Sequence, residues 1–76
     1  MTLQEVKPGE TVKVIKVGSK GPFRRRLMDM GVTPGVIIHV VKVAPLGDPM
    51  EVSVRGYSLS LRKDETKEIM VEKEGI

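Results

Sequence analysis

The sequence predicts a mainly β protein, a small barrel of five strands with one short inserted α-helix at about residues 22–30. Three observations predict it. β-Branched or alternating apolar runs recur along the chain, at the two-residue period of half-buried strands. Glycine and proline punctuate the gaps between these runs, with eight Gly and five Pro in 76 residues. One stretch alone carries a helical period. Many short strands with Gly/Pro turns point to closure into a barrel, which removes the unpaired edges that make a small sheet aggregate.

Pro8-Gly9 marks an early turn. Thr11 to Val17 (T-V-K-V-I-K-V) reads as the first strand, and its alternation slips at Val14-Ile15, which predicts a bulge. Gly18 to Gly21 reads as a loop. Pro22 suits a first helical turn, where its missing N–H has no partner to lose. Phe23, Leu27 and Met30 then follow at i, i+4 and i+7 on one helix face, and Arg25 and Asp29 stand at i, i+4 as a modest surface pair. Gly31 fits the position that ends a helix in a left-handed conformation. Thr33-Pro34-Gly35 fits a type II turn, with Pro at the first central position and Gly at the second.

Val36 to Val43 (V-I-I-H-V-V-K-V) is β-branched almost throughout and is predicted as the central strand, covered on both faces for part of its length. Ala44 to Pro49 is a loop closed by proline. Met50, Val52 and Val54, then Tyr57, Leu59 and Leu61, alternate with polar residues about Gly56 and predict a hairpin. Arg62 to Thr66 predicts one helical turn, and Lys67 to Lys73 a closing strand with Ile69 and Val71 inward and Met70 outward. Glu74, Gly75 and Ile76 are expected to fray.

One domain over residues 1–76 is expected from this length. With no cysteine there is neither a disulfide framework nor a thiolate metal site. No apolar run approaches the roughly 20 residues that cross a bilayer. The start Met1-Thr2-Leu3-Gln4-Glu5 lacks the charged-then-apolar pattern of a secretory signal, so a cytoplasmic location is expected. Net charge is +3, unevenly spread: residues 1–38 hold seven basic and three acidic groups, residues 39–76 six and seven. The excess lies on Arg24, Arg25 and Arg26 with nearby Lys13, Lys16 and Lys20. Such a patch can attract phosphate, a membrane surface or an acidic partner, or serve as a solubilising surface.

Catalytic and metal chemistry find little support. His39 is the sole histidine, set between Ile38 and Val40 in the central strand, and is read as a half-buried or edge imidazole. Asp48, Glu51, Asp64 and Glu65 have no recognisable ligand spacing. Ser53, Ser58 and Ser60 fall on the solvent side of the hairpin without an oxyanion loop or elbow. Gly18-Ser19-Lys20-Gly21 lacks phosphate-loop spacing. No catalytic residue, metal ligand or cofactor is therefore assigned. Nucleic-acid barrels stack bases on aromatics, and here Phe23 is expected in the core, leaving Tyr57. Specific nucleic-acid binding is not expected.

The arginines differ around their helix. At 100° per residue Arg24, Arg25 and Arg26 fan over the polar side, and Met28 falls between Arg24 and Arg25, away from Phe23 and Leu27. A partly exposed methionine ringed by arginines suits protein recognition. Packing of Met28 beneath a neighbouring loop is the competing reading. Arg55, Tyr57 and Arg62 extend the same candidate surface.

Three segments, R-R-R-L-M-D-M-G-V-T-P-G at Arg24–Gly35, V-A-P-L-G-D-P at Val43–Pro49 and V-R-G-Y-S-L-S-L-R at Val54–Arg62, carry a resemblance. From about Leu3 to Val71 the chain resembles the FeoA family, small bacterial and archaeal proteins associated with ferrous iron uptake. The resemblance implies an SH3-like β-barrel with an inserted helix. It also implies a cytoplasmic accessory of FeoB, the membrane transporter that carries a GTPase domain, with membrane contact through that transporter and at most weak self-association. The same barrel ends certain iron-dependent repressors, whose winged-helix and metal-binding parts this chain lacks, so the free-standing form is implied. Arg24, Arg25, Leu27, Asp29, Met30 and Gly31 fit the family's helix motif, Pro34 and Gly35 the turn, Pro45 to Pro49 the loop, and Arg55, Gly56 and Tyr57 the hairpin. Architecture accounts for most of these. Arg24, Arg25, Met28, Arg55 and Tyr57 are left as partner-binding candidates. The alternatives are a nucleic-acid- or regulator-associated module and a direct iron-binding protein.

Overall fold

The structure is a computed structural model that describes residues 1–18 and 21–74. Ser19 and Lys20 of the expected loop and patch, and Gly75 and Ile76 of the expected frayed end, lie outside the described residues. The strands are β1 (Thr11–Val17), β2 (Ile37–Val43), β3 (Met50–Val54), β4 (Tyr57–Leu61) and β5 (Ile69–Lys73). The helices are α1 (Gly21–Asp29) and the single-turn α2 (Lys63–Thr66), preceded by a 3-10 turn at Leu3–Glu5. All strands join one antiparallel sheet in the order β4-β3-β2-β1-β5.

The alternation slip in the first strand is a bulge: β1 shifts register against β5 between Val14 and Lys16. A second shift separates Val40 and Lys42 in β2 against β3. Bulges sharpen the right-handed twist, and so short a sheet needs that twist to curl around its own core. The core is aliphatic. Leu3, Leu27, Ile38, Met50, Leu61 and Ile69 are fully enclosed together with the inward valines, and Phe23, Met30, Val43 and Leu59 pack against them half-buried.

Three details depart from the sequence expectation. β2 is central, yet it turns Ile38, Val40 and, past the bulge, half-buried Val43 inward, while Ile37, His39 and Val41 face solvent. A barrel has a single interior, and here no second layer covers the outer face, so β-branched composition overstates burial. The N-terminus, unassigned by periodicity, is structural. Leu3 is enclosed, the Val71 N–H donates to the Met1 carbonyl at 2.8 Å, and Thr2 bridges Met70. Glu74, expected to fray, donates its N–H to the Thr11 carbonyl at 3.1 Å.

Candidate functional site

α1 is too short to hold itself and is fixed at its C-terminal end. The Gly31 N–H bonds the Met28 carbonyl and the Val32 N–H bonds the Leu27 carbonyl, both at 3.0 Å. Gly31 takes φ +97°, and Val32 and Leu27 are both enclosed. This is the paired closure with its apolar contact that glycine permits. The chain then turns at Pro34-Gly35, with the Val36 N–H on the Thr33 carbonyl at 3.1 Å and Gly35 at φ +92°, the expected type II geometry. Gly35 and Val14 exchange contacts with β1, the Gly35 N–H reaching the Val14 carbonyl at 2.7 Å.

Two side chains secure the helix laterally. The Tyr57 hydroxyl donates to the Met30 carbonyl at the end of α1. A Cβ on residue 31 would stand 2.7 Å from that hydroxyl, so Gly31 serves both the turn and this approach. Arg26 places its guanidinium on Glu65, which is only 5% exposed and also accepts the Arg62 N–H at 2.7 Å. The Arg26 guanidinium lies 5.9 Å from the Phe23 ring centre. Arg26 is thus a strut between α1 and α2.

What remains is the outward face of α1. Arg24, Arg25, Met28 and Asp29, with Gly21 and Pro22, surround an open concavity of about 590 Å³. Met28 is half-buried between exposed Arg24 and Arg25. Among the described residues neither arginine forms an ion pair, and the expected Arg25–Asp29 pair does not form. A half-sheltered thioether flanked by two unpaired guanidiniums can take up an apolar side chain with acidic neighbours.

The structure therefore brings Arg24, Arg25 and Met28 onto one surface. Tyr57 lies beside the C-terminal end of α1, its hydroxyl committed to Met30 and the residue as a whole 45% exposed. Arg55 stands exposed in the β3–β4 turn at φ +51°, joined to none of the others by a hydrogen bond or ion pair. Sequence reasoning did not single out Leu46, which is 86% exposed. Its loop is braced by the Gly47 N–H on the Ala44 carbonyl (2.7 Å), the Ala44 N–H on the Pro49 carbonyl (3.0 Å) and Asp48 accepting the Lys63 N–H (3.2 Å). A leucine held between Pro45 and Gly47 inside a proline-closed loop was the available signal.

Exposed His39 shares a hydrogen bond with the Thr11 hydroxyl at 2.8 Å across β1 and β2. Among the described residues no three His, Asp or Glu side chains gather as a metal group would require. No helix among them is long and apolar enough to cross a membrane.

Comparison with known proteins identifies the family of the domain as a whole. The FeoA domain family model matches residues 1–73. The chain is 38% identical over 72 residues to a Porphyromonas gingivalis Fe(2+) transport protein A/Fe(2+) transporter FeoB fusion protein. That match takes in 95% of this chain and 8% of the length of the fusion. Among solved structures, a FeoA-like protein from Clostridium acetobutylicum superposes with a TM-score of 0.89 at 46% identity, covering 96% of this chain and 85% of its own. FeoA of Stenotrophomonas maltophilia, solved with zinc and described as a prokaryotic SH3 domain protein, gives 0.77 at 31% identity, covering 95% and 89%.

Proposed function

The chain belongs to the FeoA family, linked to ferrous iron transport, and we propose that it is a non-enzymatic cytoplasmic accessory that works by binding a FeoB-type GTPase transporter. The observation that carries this reading is the fusion, in which a relative of this chain and a FeoB transporter form one polypeptide. Covalent linkage holds two modules at a local concentration of about millimolar, which is useful only if the modules act on one another. Between separate chains, surface contacts must supply the affinity.

The α1 face supports the reading because its polar and apolar groups are spare. Arg26 is used internally, whereas among the described residues Arg24 and Arg25 form no ion pair that must be broken before engaging a partner. Met28 offers the apolar anchor around which such contacts concentrate, and the flanking charges set approach and orientation. Because Leu27, Gly31 and Tyr57 hold the helix already formed, little ordering entropy is lost on docking. The bound chain would then influence GTP hydrolysis by the transporter or its assembly.

The test is a pull-down of purified transporter by Arg24→Glu/Arg25→Glu. Both positions are exposed, so the thermal midpoint should stay within a few degrees while captured transporter falls at least about tenfold. Undiminished capture by the folded double variant rejects the α1 face. No capture by the native chain, with GTP turnover unchanged by its addition, rejects the transporter as partner.

A further inference from the structure

We propose that the outer edge of β4 accepts an extended acidic segment of another protein as a sixth strand. The inference concerns a different surface from the α1 face and holds whichever protein that face binds.

The two edges of the sheet are treated differently. β5 is covered, since Thr2 bridges Met70 and the Val71 N–H donates to the Met1 carbonyl at 2.8 Å. Among the described residues β4 pairs with β3 on one side and with no strand on the other. The turn identifies its free groups. Arg55 (φ +51°) and Gly56 (φ +86°) both lie in the left-handed region, the signature of a two-residue type I′ hairpin. In that hairpin Val54 and Tyr57 form a hydrogen-bonded pair. The antiparallel alternation then makes Ser53–Ser58 and Glu51–Ser60 non-hydrogen-bonded pairs. The N–H and C=O groups of Ser58 and Ser60 thus point away from β3, and none has a partner among the described residues. Edges are normally guarded by lysine, proline or a covering segment. Tyr57–Leu61 (Y-S-L-S-L) has none of these, and both serines are exposed.

The flanking charges select the occupant. Arg55 precedes β4 and Arg62 follows it, both exposed and neither in an ion pair among the described residues. Nearby Asp64 is turned to Lys67 at 3.8 Å. A second copy pairing antiparallel about a two-fold axis, Ser58 against Ser60, would set Arg55 of each chain opposite Lys63 of the other and next to its Arg62, and facing like charges are unfavourable. A foreign segment with a carboxylate at each end meets both arginines instead. Arg55 and Arg62 are seven residues apart, roughly 23 Å of strand at 3.3 Å per residue, and the ends of a seven-residue segment, roughly 20 Å apart, fall within reach of two arginine side chains.

The probes are two seven-residue peptides of alternating threonine and valine, one ended by glutamates and one by lysines. In an NMR titration of the full chain, the glutamate peptide should slow amide exchange at Ser58 and Ser60 saturably and bind at least about threefold more tightly than the lysine peptide. Arg55→Asn/Arg62→Gln, with Asn chosen to tolerate the left-handed site, should abolish that preference while keeping the slowed exchange. Ser60→Pro removes an outward donor that the β3 ladder does not use and should weaken both peptides. If Ser60→Pro does not fold, the arginine double variant decides. Equal binding of both peptides to the native chain, or no slowing at Ser58 and Ser60, overturns the proposal. So does protection of these amides that rises with protein concentration alone, because the occupant would then be a second copy.

Discussion

Gly31 and Tyr57 should behave as one energetic unit, and a double-variant cycle measures it. Tyr57→Phe removes the hydroxyl that donates to the Met30 carbonyl, at a cost of about 1 kcal/mol for one such bond. In a chain of 76 residues that lowers the melting temperature by roughly 4–8 °C. Gly31→Ala carries two costs. A side chain at φ +97° is strained by about 1–2 kcal/mol, and the new Cβ, 2.7 Å from the Tyr57 hydroxyl, must push the ring off Met30 and lose that bond as well. The single change should therefore cost about 2–3 kcal/mol.

With Tyr57→Phe already present, the clashing oxygen is gone and the next ring atom stands at 3.8 Å, an ordinary contact. Alanine then adds only the backbone strain, so the double variant should be no less stable than Gly31→Ala alone, a coupling of about 1 kcal/mol. Urea unfolding at constant m-value reads all four corners. Additivity within about 0.5 kcal/mol would refute the claim that the hydroxyl dictates glycine at residue 31. The cycle also bears on recognition: a Tyr57→Phe variant that keeps full transporter binding assigns the hydroxyl to architecture and leaves only the ring for a partner.

Glu65→Ala should destabilise by about 1–2 kcal/mol, chiefly because the Arg62 N–H loses its acceptor, while the Arg26 guanidinium, its side chain 60% exposed, passes to water; Glu65→Gln keeps an acceptor and should cost less, as thermal unfolding will read. Acid stability should respond to Glu5 and Glu10. The Thr2 N–H holds the Glu5 carboxyl below its ordinary value, and the Lys7 N–H, followed by Lys73, does the same for Glu10. Both groups release protons more readily when folded, so their contribution is complete above the ordinary carboxylate range and is lost as pH falls through the lowered values. Glu5→Gln and Glu10→Gln should flatten the acid limb of a melting-temperature profile, and an unchanged limb in both counts against these hydrogen bonds.

The strands, the β1 bulge, the helix and the type II turn were legible because each leaves a local mark: a period, a slip in that period, or a glycine where φ must be positive. The Leu3 anchor was not, since one buried leucine in a 3-10 turn has no period. Burial of β2 on one face was also hidden, because β-branched residues stabilise a strand whether or not its second face is covered. The open edge of β4 lay beyond sequence reasoning for another reason. Strand count predicts a barrel, but not whether the first and last strands of the sheet order meet through hydrogen bonds. Here they do not, and the five-residue N-terminal segment guards β5 alone.

The arginine triplet shows how a contiguous charge run divides its labour. On a helical wheel at 100° per residue, Arg26 falls about 60° from Phe23, at the margin of the buried face, whereas Arg25 lies nearly opposite. Position therefore brings the third guanidinium within reach of Glu65 and Phe23. Arg24 also lies about 60° from an inward residue, Leu27, yet forms no ion pair among the described residues. The asymmetry thus comes from α2 rather than from the helix: Glu65 sits where it can take Arg26, and among the described residues no carboxylate pairs with Arg24. Three identical residues in a row become one internal strut and two free contacts through the placement of a carboxylate 39 positions later in the chain.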